Sequence, residues 1–199
     1  FSIIIPTLNS EKYLVETINS IKKQDTSLNI ELIFSDGGSN DDTLKIIHNI
    51  DQNNISKKII YNQIGLSRAL NQGFNSANGK YLSYLNSDDL LTDNALIEIK
   101  NKFDKNQYDQ WIIGLCENIG EKLIINKFVN FYKRHLLKIL NFDLLSINNI
   151  ISQPSVYWRK SFFDDAGNFD ETLKYNMDYD MWLRMIKISK PLKIKNKIS

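Results

Sequence analysis

Two neighbouring carboxylates carry the sharpest chemical signal in this chain. Asp88 and Asp89 close the run Tyr84-Leu85-Asn86-Ser87-Asp88-Asp89, and adjacent like charges repel unless a cation or hydrogen-bond donors compensate them. Hard divalent ions take oxygen ligands, and Mg²⁺ is commonly held by one or two carboxylates together with substrate phosphates. Asn86 could add a carbonyl oxygen or touch a sugar. The same run also reads as a solvated turn in which Asp88 or Asp89 caps the next helix. Asp36-Gly37-Gly38-Ser39 is a second candidate. Glycine tolerates positive φ, so the chain can turn sharply there and aim backbone amides and Asp36 at a ligand. An ordinary strand-to-helix turn also accounts for it, and the Gly-x-Gly-x-x-Gly dinucleotide fingerprint is absent.

Further residues stand at positions suited to chemistry. Arg68 begins a helical stretch, where it could meet a diphosphate or simply face water. Asp178 falls at a helix N-terminus, which the helix dipole makes favourable for a carboxylate, whether as a functional group or as a plain cap. Asp180 and Arg184 have the i,i+4 spacing of an ion pair. Trp158-Arg159 could stack on and hydrogen-bond a sugar, with core packing as the other reading of Trp158. His135 lies among Lys133, Arg134 and Lys138, on a solvated helix face or one facing an anionic lipid or acceptor. Cys116 reads as a core residue.

The elements that must position these groups alternate. Apolar runs at 1–5, 30–34, 58–61, 81–85 and 110–115 predict strands. Helical spacing is carried by Leu14, Ile18 and Ile21, by Leu44, Ile46 and Ile47, and by 66–77 and 94–103. Asn9 or Ser10 and Asp41 or Asp42 supply caps, and Asn78-Gly79 a stop. Strand–helix alternation implies right-handed crossovers and a largely parallel sheet flanked by helices. In such sheets ligands bind outside the carboxyl ends of the strands. The polar clusters at 6–9, 36–39 and 86–89 each sit at such an end, so one crevice could hold all three. Beyond about residue 116 the pattern loosens: 128–142 is amphipathic and basic, 153–158 reads as a strand, 179–188 as a helix and 192–198 as a last strand.

Composition narrows the function classes. The 199 residues suit one domain, 42% are hydrophobic, and the formal net charge is +2 with no basic block of the kind nucleic-acid binding needs. A single cysteine fits a reducing compartment. The two histidines, His48 and His135, share no zinc-ligand spacing. No apolar run approaches the roughly 20 residues of a membrane helix, and no signal peptide is evident. The chain does not open on Met and reads as trimmed at the front.

Taken together, these residues resemble family-2 glycosyltransferases along nearly the whole chain. The similarity rests on Ile3-Ile4-Ile5-Pro6-Thr7-Leu8-Asn9, on Asp36-Gly37-Gly38-Ser39-Asn40-Asp41-Asp42-Thr43, on 85–89, on Gly167-Asn168-Phe169-Asp170-Glu171 and on 177–184. The resemblance implies an α/β GT-A fold over residues 1–199, with a mostly parallel, Rossmann-like sheet flanked by helices. Residues 1–115 would bind the nucleotide sugar and 116–199 would serve the acceptor.

The implied activity is inverting transfer of a sugar from a nucleoside diphosphate sugar, with a UDP-sugar expected, to a hydroxyl of a glycan or lipid-linked acceptor in bacterial polysaccharide biosynthesis. Asp178 would be the catalytic base. Pro6, Thr7, Asn9, Asp36, Gly38, Arg68, Asn86, Ser87 and Asp88 would bind the donor. Asp88 and Asp89 would hold a divalent metal, Mn²⁺ or Mg²⁺, and Trp158 and Arg159 would lie on the acceptor side. A cytoplasmic setting follows, with peripheral association at the inner membrane face and no nucleic-acid partner. The chain departs from the family pattern at Asn86, where the first acid of Asp-x-Asp stands, at Gly37, where a second acid is frequent, and at Met177, where an acid precedes the base. A catalytically silent nucleotide-sugar-binding module is the alternative. A nucleotidyltransferase would want a basic, glycine-rich loop in place of 6–9.

Overall fold

A computed structural model describes residues 1–61, 65–117 and 123–199, without the side chains of 123–127. The first half alternates as the periodicity predicts: β1 (Ser2–Thr7), α1 (Glu11–Lys22), β2 (Ile30–Asp36), α2 (Thr43–His48), β3 (Ile55–Tyr61), α3 (Leu66–Asn75) and β4 (Tyr81–Tyr84). Then come α4 (Ala95–Lys105), β5 (Trp111–Leu115), α5 (Leu123–Lys138) and α6 (Phe142–Ile147). A 3-10 turn (Gln153–Ser155), β6 (Val156–Arg159), α7 (Lys160–Ala166), α8 (Met177–Ile188) and β7 (Leu192–Lys197) complete the chain.

The strands form one sheet in the order β3-β2-β1-β4-β6-β5-β7. Its centre is buried on both faces, which is why β1 reads as an unbroken isoleucine run. Side chains alternate across the sheet. Ile3 and Ile5 join Leu14, Ile18, Ile99 and Phe103 on the α1 and α4 side, while Ile4 joins Leu70, Phe74, Trp158 and Trp182 on the α3 and α8 side. Each fully buried isoleucine contributes about 1.5–3 kcal/mol. On α3, Gly73 lets the helix lie flat on β1: a Cβ there would come within 2.8 Å of the Ile4 side chain.

The sheet is parallel through β3, β2, β1 and β4 and between β5 and β7, but β6 runs antiparallel to both β4 and β5. The reason lies in where β6 begins. Gln153 donates to the carbonyl of Tyr84 at the carboxyl end of β4, and Ser83 donates to Val156 O. Because β6 starts where β4 ends, it must run back along it.

That direction overturns the expectation for Trp158 and Arg159. Trp158 pairs with Leu82 and is 1% exposed, its ring packed on Phe74, Phe163 and Trp182. Arg159 pairs with Tyr81, at the amino end of β4 and the opposite edge from the motif loops. Its guanidinium donates to the carbonyls of Phe103, Asn106 and Asp109 and lies over the Phe103 ring. Neither side chain is free to meet an acceptor. Cys116 is also displaced from its expected place: it is half-buried, with its thiol pushed up by burial, rather than in the core. The amphipathic 128–142 stretch runs along α5 and reaches the first residue of α6, which Asn141 caps by accepting from Leu144 N.

Candidate active site

The three motif loops do converge. Pro6, Thr7 and Leu8 after β1, Ser35 and Gly37 at the end of β2, and Asn86, Ser87 and Asp88 after β4 line a crevice of about 380 Å³. The start of α3 closes it with Gly65, Leu66 and Ala69. Ser35 Oγ donates to Ala69 O at 3.1 Å and so fixes that wall to β2.

Hydrogen bonds tie the loops to one another. Gly37 N donates to Thr7 O at 2.8 Å, Asn9 N to Ser39 Oγ at 3.0 Å and Asn40 N to Asn9 Oδ1 at 3.0 Å. Ser10 N donates to Thr43 Oγ1, and Ser87 Oγ to Ser10 Oγ at 2.9 Å, which brings in the third loop. Asn9 adopts a positive φ of 50° to make its turn, a conformation asparagine tolerates better than most residues.

Asp36 is buried at the centre of this stitching. One carboxylate oxygen accepts from Gly38 N and Ser39 N, and the other from Thr7 Oγ1 and Ser39 Oγ. Burial alone raises its pKa, but the bonds from Ser39, Thr7 and Gly38 outweigh that and hold the carboxyl below its ordinary value. Four donors fill the roughly four acceptor positions of a carboxylate. Asp36 therefore shapes the loop and has no lone pair left for a base, contrary to its expected donor-reading role. Gly38 and Asn9 likewise brace the rim, and the crevice meets Gly37 instead. Arg68 is exposed on α3 and is not part of the crevice lining.

The paired acids have different environments. Asp88 is exposed and lines the crevice. Asp89 is half-buried and turned back, its Oδ2 accepting from Asn86 Nδ2 at 3.0 Å. Burial raises its pKa and the Asp88 charge adds to this, against the Asn86 bond. Among the described residues no cluster of three or more His, Cys, Asp or Glu could hold a metal by itself. Asp88 with the Asn86 carbonyl oxygen fits a cation that a ligand's phosphates complete, the usual arrangement for Mg²⁺. Asp89 is not part of the crevice lining.

Asp178 sits in the first turn of α8, accepting from Tyr179 N at 2.8 Å. Its neighbourhood is fixed from α3. Asn71, buried, exchanges bonds with the Phe169 backbone at 2.8 and 2.9 Å and donates to Glu171. Ser67 donates to Met177 Sδ. Arg184 holds Asp180 at 2.9 Å and the carbonyls that end α7. Tyr84, at the end of β4, is buried, and its hydroxyl pKa is pushed far up, first by burial and then by the charges of Asp178 and Asp89. Met177, the residue before Asp178, packs with Phe169 in the same buried cluster as Tyr84, which leads into the 86–89 loop.

With this geometry in view, the relatives are informative. The sequence model of glycosyl transferase family 2 matches residues 2–165. The chain belongs to glycosyl transferase family 2. An uncharacterized glycosyltransferase of Rickettsia prowazekii is 35% identical over 199 residues, covering 94% of this chain and 59% of that protein. The minor teichoic acid biosynthesis protein GgaA of Bacillus subtilis is 33% identical over 184 residues, covering 88% of this chain and 40% of its own length. The chain thus spans less than two thirds of either curated relative. Among solved structures, S. aureus TarS 1–349 in complex with UDP-GlcNAc superposes with a TM-score of 0.72 at 20% identity, covering 100% of this chain and 56% of TarS 1–349. That likeness establishes the GT-A fold, here as a family-2 domain.

Sequence reasoning missed several residues. Ser35, Gly65, Leu66 and Ala69 line the crevice, and Asn71 and Gln153 position its neighbours. Asn71 alone left a trace, as a polar residue in the apolar stripe of a helix.

Proposed function

We propose that this family-2 domain transfers a sugar, with inversion, from a UDP-sugar to a hydroxyl of a glycan or lipid-linked saccharide in bacterial polysaccharide biosynthesis. Residues 1–115 serve as the nucleotide-sugar half and 116–199 as the acceptor half. The observation that carries the reading is the crevice made at the carboxyl ends of β1, β2 and β4, with Met177, the residue before Asp178, packed in the same buried cluster as Tyr84 at the end of β4. The UDP-GlcNAc in complex with TarS and the role of GgaA in minor teichoic acid biosynthesis support the donor and product classes.

In this reading Pro6, Thr7, Gly37 and Ser87 hold the nucleoside diphosphate, with Asp36 shaping the loop. Asp88 and the Asn86 carbonyl oxygen would hold Mn²⁺ or Mg²⁺, which when bound would neutralise charge on the departing diphosphate. Asp178 takes the proton of the acceptor hydroxyl as that oxygen attacks the anomeric carbon. The bond from that carbon to the diphosphate oxygen breaks on the opposite side, so one displacement inverts the configuration.

The acceptor half also carries a surface that suits the cytoplasmic face of a membrane. No described helix is long and apolar enough to cross a bilayer, yet α5 exposes Phe128, Phe131 and Tyr132 beside Arg134 and Lys138. Aromatic and cationic groups on one helix face are what an anionic interface attracts. Asn86 favours the second reading, a silent binding module, because it lowers the charge of the cation site.

The test is release of UDP from a panel of UDP-sugars with Mn²⁺ and saccharide acceptors, using a chain extended to the relatives' length. Wild type should release UDP, and Asp178→Asn should lose about 10²–10⁴-fold in rate while still binding donor. Binding without release by wild type would select the silent module.

A further inference from the structure

Asn86 stands where the family motif carries an acid, and its surroundings define which way its amide points. Its Nδ2 donates to two acceptors, Asp89 Oδ2 at 3.0 Å and Gln153 Oε1 at 3.2 Å. Gln153 in turn donates through Nε2 to the Tyr84 carbonyl. The chain Tyr84 carbonyl, Gln153, Asn86, Asp89 is anchored at both ends by groups that only accept, a backbone carbonyl and a carboxylate. Every amide between them must therefore present its NH₂ in one sense. Both Asn86 hydrogens are spent, and among the described residues no hydrogen bond reaches Asn86 Oδ1. That oxygen is the uncommitted atom of a residue that lines the crevice.

We propose that Gln153 is a positioning residue for the transfer reaction: it fixes the Asn86 amide so that the carbonyl oxygen, a neutral acceptor, faces the donor's diphosphate and cation. This rests on the donor reading above. Gln153 belongs to the turn that opens β6, so the acceptor half sets the orientation of a donor-half side chain 67 residues earlier in the chain.

The inference opposes what charge alone predicts. Restoring the family acid with Asn86→Asp adds a negative charge beside the cation site, which by Coulomb attraction should tighten Mn²⁺. In the clamp, however, the new carboxylate would face Asp89 and the Gln153 carbonyl with no hydrogen to give either. Asn86→Asp should therefore weaken binding, and so should Gln153→Leu, each by about 10-fold, as is usual when a supporting partner of a ligand is lost.

Titration calorimetry of UDP with saturating Mn²⁺, and of Mn²⁺ with saturating UDP, reads this directly, with melting temperature as the folding control. The double variant Asn86→Asp/Asp89→Asn restores one hydrogen bond with donor and acceptor exchanged, and should recover affinity relative to Asn86→Asp. Tighter Mn²⁺ binding by Asn86→Asp, or unchanged UDP binding by folded Gln153→Leu, would overturn the clamp. Failure of wild type to bind UDP at all would instead overturn the donor reading.

Discussion

The crevice rim and the α5 flank are two ways of building a surface. At the rim, loops that leave β1, β2 and β4 bond mainly to each other. Asp36 alone takes four donors, and Ser10, Ser39 and Ser87 link one loop to the next. On the flank, α5, α6 and the link between them send Leu137, Leu140 and Leu145 inward and leave Phe128, Phe131, Ile139 and Ile147 in water. The rim is made rigid from within. The flank leaves large apolar side chains exposed on its outer face. In the proposed reading the rim is a donor pocket, which must hold one geometry, and the flank an acceptor surface, which gains from being exchangeable.

Substitutions can break this contrast in order of size. Asn71→Ala should cost most, about 3 kcal/mol in urea unfolding, because it strands both the buried N–H and C=O of Phe169. It should also slow transfer by loosening the seat of α8. Asp36→Asn should cost about 2 kcal/mol by placing an NH₂ among donors. It should also change the acid limb of stability. The Asp36 carboxyl is held low in the fold, so the unfolded chain binds that proton more tightly. Its contribution is complete above the ordinary carboxylate range and is lost as pH falls through the folded value. Melting temperature measured against pH should fall less steeply in the variant. The flank should be the most tolerant: Phe128→Ser with Phe131→Ser should move stability by under about 0.5 kcal/mol yet abolish cosedimentation with anionic vesicles. A large loss of stability there would mean that α5 is core-like and the contrast false.

Sequence and structure agree best where information is local. Ile3-Ile4-Ile5 before Pro6, and Asp36 before two glycines, announce strand ends within a few residues, and the convergence of the three loops follows from sheet logic. Long-range information is what the linear pattern hides. Whether Asp36 is free or saturated depends on Thr7, which lies 29 residues away. Trp158 and Arg159 suit a sugar by type, but the direction of β6 is set by the Gln153 bond to Tyr84 and sends both elsewhere. The split between Asp88 and Asp89, identical in sequence, comes from which of them Asn86 reaches.

Helix α3 serves both halves at once. Through Gly65, Leu66 and Ala69 it is a wall of the crevice, and through Ser67 and Asn71 it holds the segment that carries Asp178. Gly73 lets it lie close on β1. It thus acts as a gauge block: in the proposed reading the gap between the donor crevice and Asp178 is set by this helix, and drift on either side of it must be registered against it. Lineages that change acceptor could therefore rebuild the outer flank freely, while any change to this helix would have to be answered on both sides of it together.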